Sequence, residues 1–440
     1  MTAATIDAPG DHSGARTPEE KRVLAGTLVG TTIEWYDFFI YAQAAAFIFA
    51  PLFFEPVGSD SLAQIFSWAT IGISFLFRPL GAVIAGHLGD RYGRKAVLVV
   101  TLIGMGVATA LIGILPTYGT IGVAAPILLI LLRILQGFSA GGEWGGAALM
   151  SVEHAPRDKR GLFGSYPQIG VPLGLILATS FMYILTRSLS EEDFQSWGWR
   201  IPFLSSLVLI VIGYLIRRSV EESPVYLDMQ ARQQDASAPL GRLFRHHWKR
   251  VLLAALIFAG NNATGYMIIA FFSSYGAKTL GMEKSQTLVA AIIGGVCWLV
   301  LTIYSGALSD RIGRRVTFAI GYVLLIAWVV PMWWFIDRGT TATMAFAIVV
   351  MTLGLAPSYA PQSALYAEMF PADVRYSGTS IGYAFGSILG GAFAATFAQM
   401  IFDATGRSWM IGLYLGGVCL VSLIAVLLVP KSVEKSDLRV

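Results

Sequence analysis

Apolar stretches long enough to cross a membrane follow one another along the whole chain, separated by short polar or charged connections. About twelve of them reach roughly 18 to 25 residues, the length a helix needs to span a hydrocarbon core of about 30 Å. They predict helices over about 23–50, from about 62 to a basic segment at Gly86, and over about 96–115, 121–150, 162–186 and 201–216. After a long polar stretch come about 251–275, 287–308, 316–336, 342–367, 378–401 and 408–429. Backbone inside lipid must satisfy its polar groups within the protein, which favours helices, and the short alternating segments of a β-barrel are missing.

Two polar segments occur twice. The stretch GHLGDRYGRKAV at 86–97 returns as GALSDRIGRRV at 306–316, with Asp90 and Asp310 lying 220 residues apart. Glu153, Pro156 and Arg160 of EHAPRDKRG return as Glu368, Pro371 and Arg375 of EMFPADVRYSG, 215 residues on. Two repeats in the same order at nearly the same offset imply a duplicated unit of about half the chain. The expected fold is an all-α membrane protein of twelve transmembrane helices in two pseudo-symmetric six-helix bundles. Its divisions are an N-terminal tail (1–22), a first bundle (23–216), a linker (217–250), a second bundle (251–429) and a C-terminal tail (430–440).

Composition agrees with lipid as the solvent. Of 440 residues 55% are hydrophobic and 13% charged, too little polar surface to cover a water-soluble globule of this length. The formal charge of +4 would suggest nucleic acid in a soluble protein. Here the cations sit in alternate connections instead: Lys21, Arg22, Arg91, Arg94, Lys95, Arg157, Lys159, Arg160, the linker, Arg311, Arg314, Arg315, Arg375 and Lys431. With twelve spans they share one side, which places both termini in the cytoplasm and the protein in the cell membrane, with no nucleic-acid partner. The first twenty residues hold no apolar core with a small-residue cleavage site, so no signal peptide is expected.

Nothing in the pattern asks for a cofactor, a metal or an enzyme. Cys297 and Cys419 lie in apolar helices without metal-ligand spacing, and the five histidines fall in tails and connections. The glycine runs SAGGEWGG and GSILGGAF lack the Lys-Ser/Thr of a nucleotide cradle and suit close helix packing. Energy for any transport would come from an ion gradient or from the solute's own.

The candidate chemistry is a small set of polar residues inside apolar helices. Glu34 and Asp37 of EWYDFFIY are three residues apart and Tyr41 follows Glu34 by seven, so one helix carries all three on adjoining positions. At mid-depth a carboxylate must be paired, protonated or facing a wet cavity. Burial favours its neutral form and a neighbouring Arg its charged form, so occupation of that Arg could control a proton. The plainer alternative is a permanent ion pair between helices. Arg133, with Gln136 on its face, is the expected partner, since a guanidinium can grip a carboxylate through two parallel hydrogen bonds. Glu143 could relay the proton or pair with Arg78. In the second half Asn261, Asn262 and Tyr266 lie mid-helix, and Tyr359, Gln362 and Tyr366 recur at helical spacing. Charges in one half and amides and phenols in the other suit a small polar solute with a carboxylate and hydroxyls, unless those amides and phenols merely join helices.

Two halves of about six helices, each with a GxLxDRxGR segment after its second helix, resemble the major facilitator superfamily of secondary transporters. EWYDFFIY, RPLGA at Arg78, RILQGFSAGGEWGG at 133–146 and EESPVY after the sixth helix resemble its metabolite:proton symporter branch, which carries shikimate, dicarboxylates, citrate, proline and betaine. The resemblance implies a monomeric, proton-coupled importer of a shikimate-like, aromatic or dicarboxylic acid, working by alternating access. Tyr41, Arg133, Gln136, Asn261, Asn262, Tyr266, Tyr359 and Gln362 would bind substrate, and Glu34, Asp37 and Glu143 would couple protons. Asp90, Arg91 and Arg94, with Asp310, Arg311 and Arg314, would brace an inner gate, the Asp lying against a helix N-terminus of the other half. Alternatives are a proline or betaine symporter and, more distantly, a non-transporting sensor. Osmosensing members carry a long coiled-coil tail, whereas this sequence ends ten residues after Pro430.

Overall fold

The computed structural model describes residues 17–54, 59–92, 94–218, 239–434, 436 and 438, and all regular structure among them is helical. The first pass, α1 (Pro18–Phe47), starts before its apolar run because Thr17 caps it. The Thr17 hydroxyl accepts from the Glu20 N–H at 3.1 Å and the Glu20 carboxylate accepts from the Thr17 N–H at 3.0 Å, a reciprocal cap followed by Pro18 in the first turn. Then come α2 (Asp60–Tyr92), α3 (Arg94–Ile114), a fourth pass made of α4 (Ala124–Ala140) and α5 (Glu143–Glu153), α6 (Arg160–Ser188) and α7 (Arg200–Arg218). The second half begins with a short helix, α8 (Pro239–His246). Its first pass joins α9 (Trp248–Tyr266) through a π-helical turn (Met267–Phe271) to α10 (Phe272–Lys278), followed by α11 (Lys284–Ile312) and α12 (Arg314–Trp328). The remaining passes are α13 (Thr341–Leu355) with α14 (Gln362–Met369), α15 (Arg375–Gly390) with α16 (Ala394–Thr405), and α17 (Trp409–Leu428). The expected tail at 1–16 and most of the expected linker, 219–238, lie outside the described residues.

By length and apolarity eight described helices can cross a membrane, nine if the bent pair Glu191–Gly198 and Arg200–Ile216 is one span. The other three passes have physical reasons for falling short. Polar residues from Thr31 to Asp37 dilute α1, and the ninth and tenth passes are interrupted after Trp328 and Leu355. Among the predicted continuous helices that are in fact broken are the fourth, at Gly141-Gly142, and the tenth, over 356–361, where Pro357 and Pro361 cannot continue an α-helix. The breaks lie 215 residues apart, so they belong to the repeat. The second basic segment is a corner between helices: α11 ends at Ile312, α12 starts at Arg314, and Gly313 between them sits at φ 97°, where a side chain would be strained.

Passes one to six pack among themselves, as do seven to twelve, and the bundles meet where α6 lies along α11 and α2 along α15. Large apolar side chains such as Val100, Leu131, Val300 and Leu428 face outward, where lipid covers them. Inside the first bundle backbones approach closely: a Cβ on Gly137 of α4 would run into the Ser74 carbonyl of α2. Gly137→Val should therefore lower the melting temperature in detergent, overpacking of this kind costing about 1–3 kcal/mol. Gly417→Ala, at a position with no neighbour within 4 Å, should leave it unchanged. Equal melting of both variants would contradict the packing described.

Candidate functional site

The three helical neighbours on α1 do not share one face. Successive i, i+3 positions on a helix differ by about 60° around its axis, and in a tight bundle that is enough to give them different neighbours. Glu34 turns toward α2, where its Oε1 lies 3.6 Å from Nη2 of Arg78, both side chains being buried. Asp37 turns into the first bundle, accepting from the hydroxyls of Thr109 on α3 at 2.9 Å and Ser206 on α7. Tyr41 donates to the Thr70 hydroxyl at 2.6 Å.

Arg133 does not contact either carboxylate directly. Its Nη1 donates to Gln136 at 2.6 Å, its Nε to the Thr70 carbonyl at 3.3 Å, and the guanidinium lies 3.7 Å above the Tyr41 ring. Gln136 in turn donates to Thr109 at 2.6 Å, so Arg133, Gln136, Thr109, Asp37 and Ser206 form one hydrogen-bonded chain across α1, α3, α4 and α7. The expectation of an Arg133–carboxylate ion pair is corrected accordingly: two residues stand between the charges. The described ion pair of Arg78 is with Glu34, and Glu143 accepts from Thr101 at 3.0 Å.

Between the halves lies a cavity of about 10 Å³, room for about one water. Trp35 of the first half and Asn261, Asn262, Tyr266 and Tyr359 of the second help line it. Arg133, Gln136 and Tyr41, expected on its wall, belong instead to the interior of the first bundle. The Asn261 amide donates to the Leu355 carbonyl at 2.9 Å and to Ser358 at 2.8 Å, and Asn262 donates to the Ser387 carbonyl at 3.2 Å, so both tie α9 to its neighbours. Gln362 is buried one turn before Tyr366, whose hydroxyl donates to the Ala254 carbonyl. Trp144 of α5 stacks on Tyr383 of α15 with centroids 4.0 Å apart, an aromatic bridge between halves.

On the face where the described residues begin and end the halves are sealed by the second repeat, used crosswise. Glu153 of the first half lies 3.6 Å from Arg375 of the second, and Arg160 of the first 3.8 Å from Glu368 of the second. Asp310 accepts from the N–H groups of Gly161 and Leu162 at the start of α6, both at 2.8 Å, the anion meeting the positive end of that helix. Arg314 holds Asp310 at 2.8 Å and approaches Glu368 at 3.5 Å. Arg311, grouped with them on sequence, is exposed and makes no ion pair among the described residues. The side chains of Asp90, Arg91 and Arg94 lie outside the described residues. The C-terminal segment joins the seal: Arg160 donates to the Ser436 carbonyl, Arg375 to the Leu438 carbonyl, and Leu438 is buried with Leu149, Val152 and Tyr376.

The opposite face is held less tightly. Lys278 donates to Gln64 and Lys284 pairs with the largely exposed Glu191 at 2.6 Å, beside a vestibule of about 600 Å³ lined by Asp60, Gln64, Lys278 and Asp403 among others. Sequence reasoning noticed the repeat of Glu153, Arg160, Glu368 and Arg375 without seeing that the copies exchange partners. It passed over Thr109 and Ser206, whose hydroxyls have no signature in a single sequence.

Residues 29–395 match the profile of the Major Facilitator Superfamily. An inner membrane metabolite transport protein, YhjE, of Escherichia coli is 38% identical, with 99% of both chains covered. The shikimate transporter of Escherichia coli is 36% identical over 98% of this chain and 99% of its own. Among solved structures the proton:xylose symporter XylE superposes with a TM-score of 0.77 at 17% identity, covering 94% of this chain and 96% of that one, a likeness of fold.

Removing one partner of a buried ion pair strands the other, at a cost of about 3–5 kcal/mol. Glu153→Gln and Glu368→Gln should each loosen the sealed face, so that a cysteine introduced by Ser380→Cys reacts faster with maleimide than in the otherwise unchanged protein. Equal labelling rates would show that the crossed pairs do not hold the seal.

Proposed function

We propose that this chain, which belongs to the Major Facilitator Superfamily, imports a small organic acid together with a proton by alternating access. Membership makes it a multi-pass membrane transporter and not an enzyme. The finer reading rests on Asp37. Its described partners are two hydroxyls and no cation. A hydroxyl can rotate to donate to a carboxylate or to accept from a carboxylic acid, so Asp37 can gain and lose a proton without its surroundings being rebuilt. The chain through Thr109 and Gln136 gives Arg133 a path to sense that change. Arg133 and Gln136 then act on the proton site rather than as direct substrate contacts, while Tyr266, Tyr359, Asn261 and Asn262 border the solute's cavity.

Unequal seals support alternating access. The terminal face, rich in cations, is the cytoplasmic one, and in this structure Asp310, Arg314 and the crossed pairs close it while the opposite side retains a vestibule. A solute arrives from outside, and rocking of the halves breaks the crossed pairs to release it. One chain supplies both halves of this path, so a monomer suffices, in the cell membrane with both termini inside. The relative named a shikimate transporter supports a hydroxylated carboxylic acid as the solute class.

In proteoliposomes Asp37→Asn should abolish accumulation driven by a proton gradient while exchange of internal for external solute continues. Normal accumulation by that variant would sink the coupling role. In the same assay shikimate, succinate and benzoate should compete with the transported acid and betaine should not. Competition by betaine alone would replace the organic-acid reading with the zwitterion one.

A further inference from the structure

One buried cation has no hydrogen bonds to account for it. Arg78 of α2 is 1% exposed, yet none of its three guanidinium nitrogens has a hydrogen-bond partner, and its one described ion pair, to Glu34, is 3.6 Å long. Charge-assisted hydrogen bonds run about 2.7–2.9 Å, and a guanidinium carries five N–H donors in a rigid fork. The other buried arginines are better served: Arg133 is bonded to Gln136 and Thr70, Arg314 to Ser309 and Asp310, and Arg375 to Phe370 and Leu438. Buried donors are nearly always satisfied, so a fork left open in the middle of the protein points to an acceptor that comes and goes.

The surroundings give that acceptor a shape. The rings of Phe38 and Phe75 lie 4.3 and 4.4 Å from the Arg78 guanidinium carbon and Trp35 lies at 5.6 Å, walls that favour the cation and leave the edge of its fork as the polar opening. Phe75 also meets Tyr266 of the other half edge-on at 5.4 Å. The Tyr266 hydroxyl is buried and has no hydrogen-bond partner, and Tyr266 helps line the central cavity. An arginine fork from one bundle and a phenol from the other, both unfilled, thus share Phe75 as a neighbour at the seam between the halves.

We propose that Arg78 and Tyr266 form the subsite for the solute's carboxylate, and that Glu34 is the resident anion the carboxylate displaces. This rests on the organic-acid reading and names its binding group. Charge balance then requires a proton. With Glu34 against Arg78 the pair is neutral, and a carboxylate taking its place adds one negative charge to a site that cannot hold it unmatched. A proton arriving from water in the vestibule settles on the Glu34–Asp37 pair, one turn apart on α1, and the buried charge returns to its former value. Among the described residues, the groups near enough to feel the Glu34 charge include Arg78 from α2, Tyr266 from α9, Tyr359 from the tenth pass, Tyr383 from α15 and Asp37 from its own helix, with Arg133 also beside the Phe38 ring. Glu34 and Asp37 are the only carboxylates in this set.

Calorimetric titration of the purified full-length protein with shikimate, succinate and benzoate, and with methyl shikimate as an uncharged control, tests the assignment. The unaltered protein should bind at least one of the acids and not the ester, with affinity falling as pH rises because binding takes up a proton. Arg78→Gln should weaken binding at least about tenfold, with Arg78→Lys recovering part of it and Tyr266→Phe losing less. Glu34→Gln removes the competitor, so it should bind more tightly, lose the pH dependence and show a larger melting shift on adding the acid. That variant keeps Arg78 and Tyr266, so it reports even where Arg78→Gln fails to fold. Unchanged affinity in a folded Arg78→Gln, or weaker binding in Glu34→Gln, overturns this subsite and leaves the organic-acid reading standing. If the unaltered protein binds none of the acids, both fall.

Discussion

A charged side chain carried into a membrane protein has to be matched by a group on a neighbouring helix, because lipid offers neither counter-ion nor hydrogen bond. That requirement organises the first bundle. Glu34 is matched by Arg78 across α1 and α2, Asp37 by hydroxyls from α3 and α7, and Arg133 by Gln136, the Thr70 carbonyl and the face of Tyr41. Each match ties two helices together. The quality of the match differs: Arg133 holds hydrogen bonds through Nε and Nη1, Asp37 is held by groups that tolerate either protonation state, and Arg78 is left with an open fork.

The same rule applied to a duplicated chain ties its two halves together. Glu153 and Arg160 reach across to Arg375 and Glu368 of the other half. Ion pairs that cross the seam are broken by movement of one rigid bundle against the other, and re-formed by its return, without disturbing either interior. Across the vestibule the corresponding pair, Lys284 with Glu191, is exposed to water and worth little, about 0–1 kcal/mol. The two faces therefore differ in what it costs to part them.

Much of the fold was legible along the chain, since passes such as α3, α11 and α17 are long apolar runs bounded by charge. The errors have local causes. α1 begins early because Thr17 and Glu20 cap each other. The fourth and tenth passes break where Gly141-Gly142 and Pro357 interrupt the ladder, inside segments that read as continuous by hydropathy. The site was legible as a list of polar residues in apolar helices but not as an arrangement. Glu34 and Asp37 were rightly singled out as buried, yet the 60° between them sends one to the seam and the other to the bundle interior.

Taken alone, the sequence determined that the chain is helical, lives in lipid, is built from two copies of one unit and carries carboxylates and arginines at mid-depth. All of these follow from period, length and composition, properties a linear string possesses. Only the tertiary structure decided that the repeated acids and bases exchange partners, that Asp37 meets hydroxyls rather than a cation, and that Arg78 rather than Arg133 stands with its donors unfilled beside the seam. Partner choice depends on the rotation and depth at which helices pack, and a shift of one residue in either turns a side chain to a different neighbour. No local rule along a single helix contains that information.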